Sequence, residues 1–192
     1  NTLQLYLFSQ ACINNMPQIS SNLTALFAVR KFLVDITEDY GEVFVETSKA
    51  GKEIWAKVVK EFDSKCAYCR KETKLQKEHL VGANRQECGL QLISNIVPCC
   101  QSCNTRKTIG KEQVDWKKQL KEMCAQNKVD DTERVRREKR ISSHIKKYGY
   151  PRIIASQKKL IKTLAQNLYV VTTKRGDEFV KLYNDLKKRK LK

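Results

Sequence analysis

The chain has 192 residues, enough for one domain with appended helical pieces, and 41% of them are hydrophobic, so it can bury a core. Its 38 Lys and Arg against 21 Asp and Glu leave a formal charge of +17, which disfavours cationic partners and points to a polyanion. No run of eighteen apolar residues occurs, so no membrane span is expected, and eight cysteines with paired CxxC units in a chain this long argue against a secreted disulfide framework and for a reducing, cytoplasmic setting.

Residues 1–19 fit no single element. Leu3, Leu5 and Leu7 alternate and Pro17 closes the segment; the apolar stretch 3–13 lacks a basic leading region and is not read as a signal peptide. Ser20-Ser21-Asn22 starts a helix, with Leu23, Leu26, Phe27, Val29, Leu33 and Ile36 near helical spacing until Gly41. Residues 42–46 read as a short strand. A helix over 51–62 carries Ile54, Trp55, Val58, Val59 and Phe62 on one face. A strand over 74–81, a loop over 82–94, a strand over 95–99 and a short helix from Asn104 are expected next.

After Gly110 the pattern turns helical. Residues 112–127 hold Val114, Trp116, Leu120 and Met123 at core spacing. Asp130-Asp131-Thr132 is an acidic helix start. It opens a basic helix over 132–148 with Arg134, Arg136, Arg137, Lys139, Arg140, Lys146 and Lys147, ended by Gly149-Tyr150-Pro151. His144, among these cations, reads as a surface or phosphate-contacting residue. A helix over 153–168 and a last helix after Gly176-Asp177, running into Lys187-Lys188-Arg189-Lys190, complete the chain. Charge follows the same order. Residues 1–50 carry a net −2, residues 51–103 a net +3 and residues 104–192 a net +16. Binding of DNA by the last part should therefore depend steeply on salt.

The middle of the chain carries the chemistry. Cys66-Ala-Tyr-Cys69 and Cys100-Gln-Ser-Cys103 are two CxxC knuckles, able to fold four thiolates around one tetrahedral Zn²⁺. Cys99 lies beside the second knuckle but lacks its spacing. Cys12, Cys88 and Cys124 have no pattern. Between the knuckles lies Glu78-His79, with one of only two histidines in the chain. Asn95 lies five residues before Cys100, and Asn104 follows Cys103 at once. A structural zinc site needs neither the acid, the histidine nor Asn104.

These residues resemble the HNH endonucleases of the ββα-metal (His-Me finger) type. Over about forty residues the order is CxxC, acid-His on a first strand, Asn on a second strand, then CxxC leading into Asn and a helix, here Cys103-Asn104-Thr105-Arg106-Lys107. Two positions depart from the family: Glu78 stands where Asp is usual, and Leu80-Val81-Gly82 replaces a proline. The resemblance implies that Glu78 and Asn104 hold a catalytic Mg²⁺ or Mn²⁺. His79 then takes the proton of the attacking water, and Asn95 orients the His79 ring. The strand would end at the Glu78-His79 pair, so that both reach the cleft. Arg106 and Lys107 would hold phosphate. Cys66, Cys69, Cys100 and Cys103 would carry a separate, structural zinc that replaces apolar core in a small module.

The expected fold is α+β and mainly α-helical. A ββα-metal nuclease module over 63–127, stapled by the four-cysteine zinc site, is flanked by an N-terminal helical region over 1–62 and a basic nucleic-acid-binding region over 128–192. Arg136, Arg137 and Arg140 are its expected phosphate contacts. The expected function is a metal-dependent endonuclease acting on DNA, of restriction or phage-defence type; a homodimer would place two symmetry-related sites on one duplex. The other readings are a zinc-knuckle nucleic-acid-binding protein without catalysis, and a nuclease subunit of a larger complex docked through the N-terminal helices.

Overall fold

The computed structural model describes residues 21–106 and 115–190, with side chains described for 21–104 and 115–186. The readings made on residues 1–19, Cys12, the Arg106 side chain, Lys107, Val114 and the side chains of the 187–190 tail lie outside them. The architecture is mainly helical with one two-stranded sheet. Among the described residues, no helix is long and apolar enough to cross a membrane.

Helix α1, Ser21–Asp35, buries Ala25, Val29 and Leu33 and runs into a 3-10 turn, Ile36–Asp39. Residues 42–46 are irregular rather than a strand. Phe44 donates its N–H to the Gln91 carbonyl at 2.7 Å, and Val45 O is used by Ser48 N in a turn. One such link does not make a ladder. The turn leads into α2, Lys49–Glu61, whose N-cap Ser48 accepts from Gly51 N at 2.9 Å.

Strand β1, Leu75–His79, pairs antiparallel with β2, Ile96–Cys100, from Leu75 opposite Cys100 to His79 opposite Ile96. The connection ends in a 3-10 turn, Ile93–Asn95. All five residues of β2 are buried. Helix α3, Gln101–Arg106, follows β2 without a break. It starts three residues earlier than the sequence led us to expect, because the second knuckle spans the strand–helix junction.

Helices α4, Trp116–Gln126, and α5, Asp131–Tyr148, cover the sheet and knuckles. Asp130 caps α5 by accepting from Glu133 N, and Gly149, at φ 67°, closes its C-terminus in the left-handed region. One core joins Val58 and Phe62 of α2, Cys66, Tyr68, Val97, Leu120 of α4 and Ile141 of α5. A second joins Val29 and Leu33 of α1 to Cys88 and to Ile161 and Ala165 of α6.

Helix α6, Ala155–Lys190, replaces the two helices expected there. Gly176 does not break it. A lone glycine costs a helix only about 1 kcal/mol, and here the missing side chain has a use: a Cβ at position 176 would lie 2.9 Å from Ser21 Oγ. The bare backbone lets the start of α1 close on α6.

A candidate metal centre and the cleft beside it

The four knuckle cysteines come together. The Sγ atoms of Cys66, Cys69, Cys100 and Cys103 all lie within 4.8 Å of one another. Cys69 Sγ and Cys100 Sγ are 3.6 Å apart. Tetrahedral Zn–S bonds of about 2.3 Å put neighbouring sulfurs roughly 3.8 Å apart, so the donor set fits such an ion. The knuckle is built by backbone turns. Arg70, at φ 63°, donates its N–H to Cys66 O at 3.0 Å, and Ala67 N donates to the Pro98 carbonyl at 2.8 Å. That ties the first knuckle to β2. Gln119 of α4 donates to Cys103 O at 2.7 Å.

Crowding decides the protonation of this cluster. Hydrogen bonds from Cys103 and Cys99 hold the Cys66 thiol far below its usual range, against burial. Burial pushes Cys69 up to about 11, and the hydrogen bond to Cys66 raises Cys103. A divalent cation at the cluster would favour the thiolate form of its ligands.

Beside the cluster, Glu78, His79 and Asn104 line one cleft of about 590 Å³ between α1 and the hairpin. Strand β1 ends at His79, at the Glu78-His79 pair. Glu78 is 5% exposed and packs toward Tyr68, whose hydroxyl is held well above its usual pKa by burial and then by the Glu78 charge. His79 is half-buried and also lines a second cavity, of about 430 Å³, with Phe44 and Gln91. Asn104 donates its amide Nδ2 to Gln76 Oε1 at 3.1 Å, which leaves Oδ1 as its acceptor atom. Glu78 and Asn104 thus line the same cleft.

Asn95 is fully buried at the loop's hub. Its Oδ1 accepts from Val81 N at 2.8 Å, and its Nδ2 donates to Val81 O and Leu90 O, both at 2.9 Å. Its own carbonyl accepts from Leu80 N at 2.8 Å. Asn95 therefore clamps the chain just after His79 and just before Gln91. The residue bonded to the ring is Gln91, whose Oε1 lies 2.8 Å from His79 Nε2. Gln91 was not singled out in the sequence. Its placement depends on distant partners: Thr37 Oγ1 accepts from Gln91 N at 3.0 Å, and Phe44 O accepts from Gln91 Nε2 at 3.2 Å.

The basic helix α5 divides its arginines between tasks. Arg137 has a 10% exposed side chain, pairs with Glu133 and donates to the Tyr68 carbonyl at 2.9 Å, so it fastens α5 to the first knuckle. Arg140 pairs with Asp63. Arg136 stays 74% exposed, with a 3.4 Å contact to Glu133.

His144 is not on the surface. It is 3% exposed, edge-on to Phe62, with Nε2 3.0 Å from Ile93 O. Its place on α5 faces the core, one turn beyond Ile141, a position the surrounding cations hide in the sequence. Burial lowers its pKa, opposed by Ile93 O and by Glu61, 3.7 Å from Nδ1.

Compared with known proteins, the chain matches no family model, no curated protein and no solved structure.

Proposed function

We propose that this protein is a metal-dependent endonuclease of the HNH type, hydrolysing phosphodiester bonds in DNA in a restriction or phage-defence role. The observation that carries the reading is the shared cleft. Glu78, His79 and Asn104, separated in sequence by the hairpin loop and the second knuckle, line one cavity beside a four-cysteine cluster. A binding module has no need of that combination.

The residues divide the work. His79 accepts the proton of the attacking water, held by Gln91 and by the chain that Asn95 clamps. Glu78 and Asn104 would hold Mg²⁺ or Mn²⁺, which when bound neutralises charge on the phosphate and the leaving oxygen. The knuckle cysteines, with zinc, fix the hairpin to α3. Exposed cations such as Arg136 draw the polyanion in.

The test is a digest of mixed plasmid and phage DNA, both as duplex and heat-denatured to single strands, with Mg²⁺ or Mn²⁺. The wild type should cut, and His79→Ala should lose roughly 10²–10⁴ of the rate, the usual worth of a general base, while keeping its fold and zinc. Asn104→Ala should recover in part at raised Mn²⁺, and His79→Ala should not. If the wild type cuts nothing, or His79→Ala cuts as fast, a zinc-knuckle nucleic-acid-binding protein takes its place.

A further inference from the structure

Helix α1 has two unlike faces. Ala25, Val29 and Leu33 are buried, and the second core joins Val29 and Leu33 to α6. Leu23, Leu26, Phe27 and Arg30, at helical spacing, line the cleft that holds Glu78, His79 and Asn104. Phe27 is 56% exposed and Leu26 is 44% exposed. Arg30 also lines the neighbouring cavity that shares His79 and forms no ion pair with the described residues. An aromatic ring and a guanidinium one turn apart thus face the proposed reacting residues.

We infer that this wall seats an unpaired nucleotide of the substrate, with its base stacked on Phe27 and its phosphate drawn to Arg30. The inference rests on the endonuclease reading of the cleft and adds the form of DNA it takes. Three observations favour a nucleotide over an apolar partner helix. The wall mixes an aromatic and a cation, as base and phosphate require. The cavity, about 590 Å³, is within the size range of a small-ligand site. It runs without a break to the residues that would cut the phosphate. An aromatic side chain can stack only on a base whose face is bare, and in an intact duplex both faces are covered by neighbouring bases. The fitting substrate is therefore single-stranded DNA, or a duplex with a flap, bulge or gap.

Binding and cleavage are measured separately on a labelled single strand, a bulged duplex and a fully paired duplex of one sequence. Binding is read by fluorescence anisotropy without added divalent ion, so that it does not depend on catalysis. The wild type should prefer the single strand and the bulge. Phe27→Ala should weaken binding to both by roughly tenfold or more, the usual worth of one stacked base. Phe27→Tyr should restore it, and Phe27→Leu, which keeps an apolar side chain without a ring, should not. Phe27 is exposed, so these variants leave the cores untouched. Equal binding by Phe27→Ala, or wild-type preference for the paired duplex, overturns the inference and leaves the endonuclease reading standing if cutting persists. Tight single-strand binding that needs Phe27, without cutting under any divalent ion, overturns the endonuclease reading and keeps the nucleotide site.

Discussion

Nε2 of His79 and Oε1 of Gln91 stand 2.8 Å apart, and that contact fixes which ring nitrogen carries the proton. The Gln91 amide cannot be turned around freely. Its Nε2 donates to the Phe44 carbonyl at 3.2 Å, so its oxygen faces the imidazole. An oxygen accepts, so His79 Nε2 donates, and in the neutral ring Nδ1 keeps the lone pair.

Gln91→Glu puts a carboxylate where the amide oxygen was. It should stabilise the imidazolium and move the acid limb of the pH–rate profile to higher pH. Gln91→Ala should lower kcat about tenfold or more with little change in KM, since the ring loses its tautomer and not its contact with substrate. Activity profiles from pH 5 to 9 check both, and an unmoved acid limb in Gln91→Glu removes Gln91 from the site.

The purified protein should carry about one zinc ion per chain, as one tetrahedral site of four thiolates requires. Cys66→Ser with Cys103→Ser should abolish it and unfold the sheet region, because the cluster lies inside the first core. Cys88→Ser, in the second core, should leave zinc content unchanged. Metal analysis beside circular dichroism reads the outcome.

Arg136 and Arg137 are neighbours with opposite expectations. Arg136→Ala should weaken binding to all DNA sequences and flatten its salt dependence, with stability unchanged. Arg137→Ala strips the Tyr68 carbonyl of its donor and Glu133 of the nearer of its two arginines, and should cost on the order of 1–3 kcal/mol. Urea melts and salt titrations separate the two effects.

Gly89→Ala should disable the site without touching a reacting residue. A Cβ there would lie 2.0 Å from Val81 O and 3.0 Å from Asn95 Nδ2, and the carbonyl belongs to backbone that cannot step aside. The Asn95 clamp would open, so cleavage should fall while the zinc stays bound. Full activity in this variant would count against the clamp.

His144 makes stability depend on pH. Its pKa is lowered in the fold, so below about 6.5 the unfolded chain binds more protons than the folded one. Stability is present above 6.5 and drains away as pH falls toward the folded value. Glu61 resists this: burial raises its pKa, but hydrogen bonds from Lys147 and Tyr148 keep it below the usual range and charged beside the ring. His144→Gln should flatten the difference between urea midpoints at pH 5.5 and 7.5.

The parts legible in the sequence were those fixed by short spacing. CxxC pairs name their own ligands, and Asp130 and Gly149 mark the ends of α5 through local hydrogen bonds and a left-handed residue. Glu78, His79 and Asn104 were singled out by their order around the two knuckles, and all three line one cleft. What escaped depends on distant partners. Gln91 matters because Thr37 and Phe44 hold it, and neither is near in the chain. His144 looked like one cation among many, since only the packing of α5 against Phe62 shows which face is inward. Gly176 looked like a break because the sequence does not reveal that Ser21 needs the room.

That last contact has a consequence for timing. The wall of the cleft leaves the ribosome before the hairpin does, yet the surface that seats it comes from α6, later in the chain than every other element. Domains assemble as their parts emerge. The four cysteines of the cluster are all present once Cys103 is made, whereas until α6 has been added α1 can close only against Cys88 and the loop around it. A nascent chain would complete its cysteine cluster early and the cleft beside α1 late, only after the whole of α6 has been translated.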